Sequence, residues 1–334
     1  MSDYRGRGLR ERIIRKGPAI AAIIGSYGAC VLPVAMAAQT YPARPVRLVT
    51  AEVGAAGDYS ARLLAPGLSE VFGQQFIVDN RGGSGVIPFE IVARAPPDGH
   101  TLLVFGSAVW LLPLLQNVPY NPVTDYAPIT LAVTTPLLVV VNPAVPVKSI
   151  RELVALARAK PGELNYSSGI SGSATHLPAE LFKFMTGVNI VRVAYKGGGP
   201  ALNALLGGEV QVMFATSSGA APQVAAGRLR ALAVTSARPS ALFPDLPTVA
   251  ASGLPGYDAA SIMGVFAPAK TPAALIGILN REIVRLLNKP DLRERYSRAG
   301  AEVVASTPEQ LAATMKSDMI MMEKVIKAAG IRAQ

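Results

Sequence analysis

The chain alternates short, strongly apolar runs with longer segments whose apolar residues recur every three or four positions. Residues 46–51 form a compact apolar run that predicts a buried strand. After the loop Glu52-Val53-Gly54-Ala55-Ala56-Gly57, Asp58 is a natural cap for a helix reaching about Phe72. Residues 76–79 and 101–105 repeat the strand pattern, with a helix to Arg94 and the turn Pro96-Pro97-Asp98-Gly99 between them. Strands joined by helical crossovers predict an α/β fold with a mostly parallel sheet, whose ligands sit at the carboxyl ends of its strands.

Residues 137–235 read as a second unit built like the first. Strands are predicted at 137–142, 191–195, 210–214 and 229–234. Ser149-Ile150-Arg151-Glu152 is a capping box opening a helix that Pro161-Gly162 stops. Pro200 marks the first turn of a short helix closed by Gly207-Gly208. The Pro- and Gly-rich run at 245–256 is a surface linker, and residues 262–267 return as a strand to the first unit. Helices follow over about 272–288 and 291–299, and Thr307-Pro308-Glu309-Gln310 caps a last one reaching about Ala328. The chain would cross between lobes near 136–142 and 258–264, a two-strand hinge. Lobe 1 is then 39–138 plus 262–334, and lobe 2 is 139–261.

Half the residues are apolar, and the mean hydropathy is +0.34. The hydropathy raises the question of a membrane span, and the only candidate is N-terminal. Arg5, Arg7, Arg10, Arg12, Arg15 and Lys16 precede an apolar run, and Ala35-Met36-Ala37 offers a small-x-small pattern. This is a secretory signal over residues 1–38, cut after Ala37 or Ala38. The sole cysteine, Cys30, leaves with it, which removes disulfides, thiol catalysis and cysteine-held metals from the mature chain. Six basic and two acidic residues also leave, so the formal charge falls from +10 to +6. The remaining bases are scattered and aromatics are few. Nucleic-acid binding is therefore a weak reading, and a basic protein meeting anionic solutes fits better.

The segment with the clearest chemistry is Asn165 to Thr186. A short strand enters a loop carrying Ser167, Ser168, Ser171, Ser173 and Thr175, in which Gly169 and Gly172 let amides converge. A helix follows, with apolar positions Leu177, Leu181, Phe184, Met185 and Val188. Pro178 belongs in a first turn, which places the cap at about Thr175. Open N–H groups of that turn and the positive end of the helix dipole favour a carboxylate or phosphate. The plainer alternative is that the serines only cap a helix.

Other readings are weaker. Gly169-Ile170-Ser171-Gly172-Ser173 falls one glycine short of a nucleophile elbow, and neither His100 nor His176 follows an acid in the order a hydrolase triad needs. Two distant histidines make no zinc site, and neither Gly82–Gly85 nor Gly197–Gly199 precedes a Lys-Ser/Thr pair. No cofactor is implied. Phe105 and Trp110 are candidates for an apolar wall, with core packing as the alternative.

With these residues in view, the sequence resembles the Bug family of periplasmic solute receptors of tripartite tricarboxylate transporters. The likeness runs through Tyr41-Pro42-x-Arg44-Pro45, Asp58 with Ala61-Arg62, Asn80-Arg81, Pro97-Asp98-Gly99-His100-Thr101-Leu102-Leu103 and Asn165-Tyr166 with His176-Leu177. It continues through Glu180-Leu181-Phe182-Lys183, Tyr195-Lys196-Gly197, Leu206-Gly207-Gly208, Gly227-Arg228-Leu229-Arg230-Ala231-Leu232-Ala233-Val234-Thr235, Pro247-Thr248 and Ala267-Pro268.

The resemblance implies a two-lobed periplasmic-binding-protein type II fold. It would be a non-enzymatic, monomeric receptor that closes on a small organic carboxylate, with a tripartite tricarboxylate permease as partner. The ligand would be held at Ser173-Ala174-Thr175-His176 and, on the opposite wall, by the loop from Glu52 to Asp58. The full candidate set is Gly54, Ala55, Asp58, Ser107, Ser168, Ser173, Ala174, Thr175, His176, Tyr195 and Thr216.

Two departures from the family pattern bear on the ligand. Thr50-Ala51-Glu52-Val53-Gly54-Ala55 replaces an aromatic lid, and Ala215 stands where an aspartate is common. Glu52 would either repel an anion, pair with the ammonium of an amino acid, or point outward. A secreted enzyme or sensor subunit reusing the fold is the second functional reading.

Overall fold

In a computed structural model, the described residues are 41–81, 86–169 and 171–331. The proposed signal segment and Gly82–Gly85 lie outside them. The strands are β1 (Val46–Thr50), β2 (Phe76–Asn80), β3 (Thr101–Gly106), β4 (Tyr126–Thr135), β5 (Leu137–Val141), β6 (Asn165–Ser168), β7 (Val191–Ala194), β8 (Val212–Thr216), β9 (Arg230–Val234), β10 (Ser261–Pro268) and β11 (Glu302–Val303). The helices are α1 (Ala56–Phe72), α2 (Ile87–Ala93), α3 (Ala108–Leu115), α4 (Ile150–Ala159), α5 (Leu177–Thr186), α6 (Gly198–Leu206), α7 (Ser217–Ala225), α8 (Ala273–Leu287), α9 (Pro290–Arg298) and α10 (Pro308–Ala329).

Two sheets form, in the orders β11-β4-β10-β3-β1-β2 and β7-β6-β8-β5-β9. In the first, β1, β2, β3 and β4 share a direction that β10 and β11 oppose. In the second, only β5 runs against its neighbours. Most strands of each sheet share one direction, but β10 and β5 lie inside their sheets, so four strand pairs are parallel and five antiparallel, and both sheets are mixed. The chain enters the second sheet through Pro136 into β5 and returns to the first through residues 235–260 into β10.

Local signals placed most of the helices. Thr307 makes a full capping box with Gln310 at the head of α10. Ser149 Oγ accepts the Glu152 amide at 3.2 Å, but the Glu152 carboxylate reaches back to the Lys148 amide rather than to that of Ser149. Asp58 is not a cap, because α1 starts at Ala56 with Ala55 in the capping position and Asp58 within the first turn. Nor is Thr175 the cap of α5, which His176 precedes without a side-chain bond. In α5, Phe184 is 44% exposed while Phe182 is fully buried, with its ring 5.5 Å from that of Phe214. A single apolar stripe is the wrong description here: α5 packs against both β8 and α10 and buries two faces.

α10 touches β4 and α3 as well as α5, so it ties the two sheets together. Its Leu311, Met315, Met322, Val325 and Ile326 join one core cluster with Trp110, Phe266, Phe182 and Phe214. Each such side chain contributes about 1.5–3 kcal/mol on burial.

Candidate functional site

Gly57 lies where α1 leaves β1, and a Cβ there would stand 2.3 Å from Thr50 Oγ1 and 3.0 Å from the Val104 carbonyl oxygen. Only a glycine lets the front of α1 settle this deeply between β1 and β3. Asp58, next in the chain, is 4% exposed; it accepts the Gly54 amide at 2.9 Å, Arg62 Nε at 2.8 Å and Asn80 Nδ2 at 2.8 Å. Burial pushes its carboxyl up, but these three donors outweigh that and hold it below the usual carboxylate range. Asp58 therefore fixes the 52–57 loop and has its lone pairs occupied.

On the second sheet, β6 runs into the hydroxyl-rich loop. Arg192 of β7 supports that loop from below, donating to Ser168 Oγ (2.8 Å), Ser171 Oγ (3.1 Å) and the Gly169 carbonyl (2.8 Å). The sequence carried no signal for Arg192, since one basic residue in a short strand has no motif. Thr175 Oγ1 accepts the Gly169 amide at 2.9 Å and lies 3.2 Å from Ser173 Oγ. His176 is 2% exposed, and its Nδ1 accepts the Gly172 amide at 3.0 Å. Burial first, then the charges of Arg192 and Lys183, push His176 down to about 4 against the pull of Glu180. His176 is thus a neutral brace of the loop rather than a donor to a ligand. Ser171, whose hydroxyl takes the Arg192 guanidinium, has no paired base in this arrangement.

Arg192→Ala should lower the unfolding free energy by about 1–3 kcal/mol and speed amide exchange at Gly169 and Gly172. Exchange protected as in the parent chain would count against the bracing role.

The first-turn amides of α5 are not open. His176 and Leu177 donate to the Ser173 carbonyl, Pro178 has no N–H, and Ala179 and Glu180 donate to the His176 carbonyl. The open donors lie one turn earlier: among the described residues no acceptor is found for the amides of Ala174 and Thr175. The same holds for Ala56 and Gly57 at the front of α1, and for Ala108 and Val109 at the front of α3.

These three fronts open on one cavity of about 530 Å³, within the range of small-molecule sites. Ala55–Gly57, Ser107, Ala108 and Phe105 line it from one side, and Gly172, Ala174, Leu177 and Pro178 from the other. Residues 259–263, Asp318 and Met322 complete the wall, with Glu52 at the rim. The fronts of α1 and α3 and the turn before α5 all line this cavity and supply N–H donors and partial positive charge, which suits an anion.

Of the candidate residues, Ala55, Ser107 and Ala174 line this cavity. Gly54, Asp58, Ser168, Ser173, Thr175 and His176 build the loops behind it. Two stand apart: the Tyr195 hydroxyl reaches Glu209 at 3.4 Å, and Thr216 is exposed at the head of α7. Trp110 belongs to the core rather than to the cavity wall, being fully buried, with its Nε1 donating to Asp318 at 2.7 Å. Ala215 is buried in β8. Asp318 went unnoticed in the sequence, where it is one acid on an amphipathic helix far from the loops it meets.

Among the described residues no group of His, Cys, Asp and Glu is arranged to hold a metal ion, and no helix is long and apolar enough to cross a membrane.

"Protein BugT" of Bordetella pertussis is 34% identical over 319 residues, covering 94% of this chain and 98% of that one. The structure of R. palustris Rpa4515 with adipate superposes with a TM-score of 0.69 at 37% identity, covering 88% of this chain and all of that one. MatC from Rhodopseudomonas palustris with bound malate gives 0.65 at 30% identity, covering 86% and 100%. Residues 60–331 match the family described as the tripartite tricarboxylate transporter family receptor, TctC. The two-sheet α/β fold is that of periplasmic binding proteins, and the chain belongs to the TctC family of solute-binding receptors.

Proposed function

We propose that the chain is an extracytoplasmic receptor that captures a small carboxylated solute between its two halves and presents it to a tripartite tricarboxylate-type permease. The leader over residues 1–38 would be cut after Ala37 or Ala38, releasing a monomer into the periplasm. Residues 39–138 with 262–334 and residues 139–261 would then act as lobes that close on the solute.

The observation that carries this reading is the convergence of the α1, α3 and pre-α5 amides on one cavity. Closure brings those donors onto the carboxylate together, so affinity comes from the closed state's better contacts. Relatives bound to adipate and malate support the ligand class.

Calorimetry of the mature chain against monocarboxylates, dicarboxylates, tricarboxylates and amino acids tests the proposal, with the solute recovered afterwards and analysed by NMR. Saturable binding of at least one carboxylate, recovered unchanged, is expected. Chemical conversion of the bound solute would replace the receptor with an enzyme.

A further inference from the structure

Among the described residues the cavity wall carries no lysine, arginine or histidine, yet it carries carboxylates. Glu52 stands at the rim and Asp318 projects from α10. Asp318 is held rigidly, because one of its oxygens accepts the indole N–H of Trp110 at 2.7 Å and Trp110 is itself fully buried. For its second oxygen no protein donor is found among the described residues, although the side chain is only partly open to solvent.

Among the described residues, the elements packed most closely on α10 bring no free countercharge. α3 and β4 have no charged side chain, and the Glu180 and Lys183 of α5 are paired with each other at 2.9 Å. The remaining charge acting on Asp318 is another carboxylate, Asp258, before β10. A half-buried acid facing a cavity without a cationic partner lacks a countercharge that a ligand could supply.

Building on the carboxylate-receptor reading, we propose that Asp318 is a specificity-determining residue that accepts an ammonium group of the solute. The preferred solute is then zwitterionic, with its carboxylate at the helix fronts and its amino group against Asp318. A dicarboxylate would set its second negative charge near Asp318 and Glu52, with no side-chain cation among the described lining residues to offset it. Burial and Asp258 push Asp318 up to about 6 despite the Trp110 bond, and a bound ammonium would draw it back down. Affinity for the amino acid should therefore be full above pH 6 and fall as the pH drops through that value.

The test is calorimetry at pH 7.5 and pH 5 with pentanoate, glutarate, 2-aminopentanoate and 5-aminopentanoate on the parent chain, Asp318→Asn and Asp318→Ala. Asparagine keeps an acceptor for Trp110 while removing the charge, so the fold is retained. In the parent chain at least one amino acid should bind about tenfold or more tightly than glutarate. That preference should vanish in both variants and weaken at pH 5. Unchanged amino-acid affinity in Asp318→Asn would reduce Asp318 to an anchor for Trp110 and overturn the inference. Glutarate binding with amino acids excluded would overturn it while leaving the carboxylate receptor intact. Binding of none of the four would remove both.

Discussion

Replacing Gly57 with valine should abolish solute binding and lower the unfolding free energy by about 1–3 kcal/mol. The Cβ would fall 2.3 Å from Thr50 Oγ1, and that hydroxyl has nowhere to go, since it donates to the Val104 carbonyl at 2.8 Å. Relief can come only from lifting the front of α1 off the sheet. The lift moves the Ala56 and Gly57 amides, and a displacement of 1 Å is enough to break their shared aim with α3 and the pre-α5 turn. Gly57→Ala should show the same defect in milder form. Adding Thr50→Ala should restore part of the stability, a coupling expected only if the hydroxyl is the obstacle. Equal affinity in Gly57→Val and the parent chain, measured by calorimetry, would exclude the front of α1 from binding.

The second large effect is a pair of opposed acid responses. His176 is held down to about 4 when folded, against 6.5 for the free side chain. Between those values the unfolded chain takes up the proton first, so this contribution is whole above pH 6.5 and is lost as the pH falls to 4. At 1.36 kcal/mol per pH unit the loss is about 3 kcal/mol. Asp318 runs the other way. Its carboxyl, near 6 when folded against an ordinary 3.8, is protonated in the folded chain first. Its contribution is present below pH 3.8 and is lost as the pH rises through 6, by about 2 kcal/mol once solvent screening is allowed for.

In the parent chain the two partly cancel. Asp318→Asn should expose the histidine response, losing about 2.4 kcal/mol between pH 7 and 4.5. His176→Asn, which keeps an acceptor for the Gly172 amide, should instead gain stability on acidification. Urea unfolding at the two pH values separates these outcomes, and parallel profiles for all three chains would contradict the assignment.

How far the sequence reached is clear from individual elements. The α10 capping box and the apolar strand runs could be read because their signals are local. α3 could not be placed: Ala-Val-Trp-Leu-Leu-Pro-Leu-Leu has no polar face and includes Pro113, so it lacks a helical period. β4 was missed because Pro128 and the threonines Thr130, Thr134 and Thr135 blur a strand whose two edges are both paired. At the site, the loop 165–176 was visible through its serines and glycines. The open amides, however, belong to the turn before α5 rather than to its first turn, since which carbonyl takes which N–H is decided by the folded backbone. Asp58 and His176 were recognisable as important, but as ligand contacts, when burial makes them supports. Arg192 reaches the site through the pairing of β7 with β6, and Asp318 through the packing of α10 on α3 and α5, and no spacing along the chain encodes either.

The proposed carboxylate seat is built from backbone amides at the fronts of α1 and α3 and in the turn before α5, with no cationic side chain among the described lining residues. Amide ¹H–¹⁵N NMR of the mature chain during titration with a binding carboxylate tests it most directly. The amide protons of Ala56, Gly57, Ala108 and Ala174 should move downfield together and saturate at the calorimetric stoichiometry, and the matching carboxamide should leave them in place. Saturable binding with those four amides unmoved, or equal shifts with the carboxamide, would contradict the account.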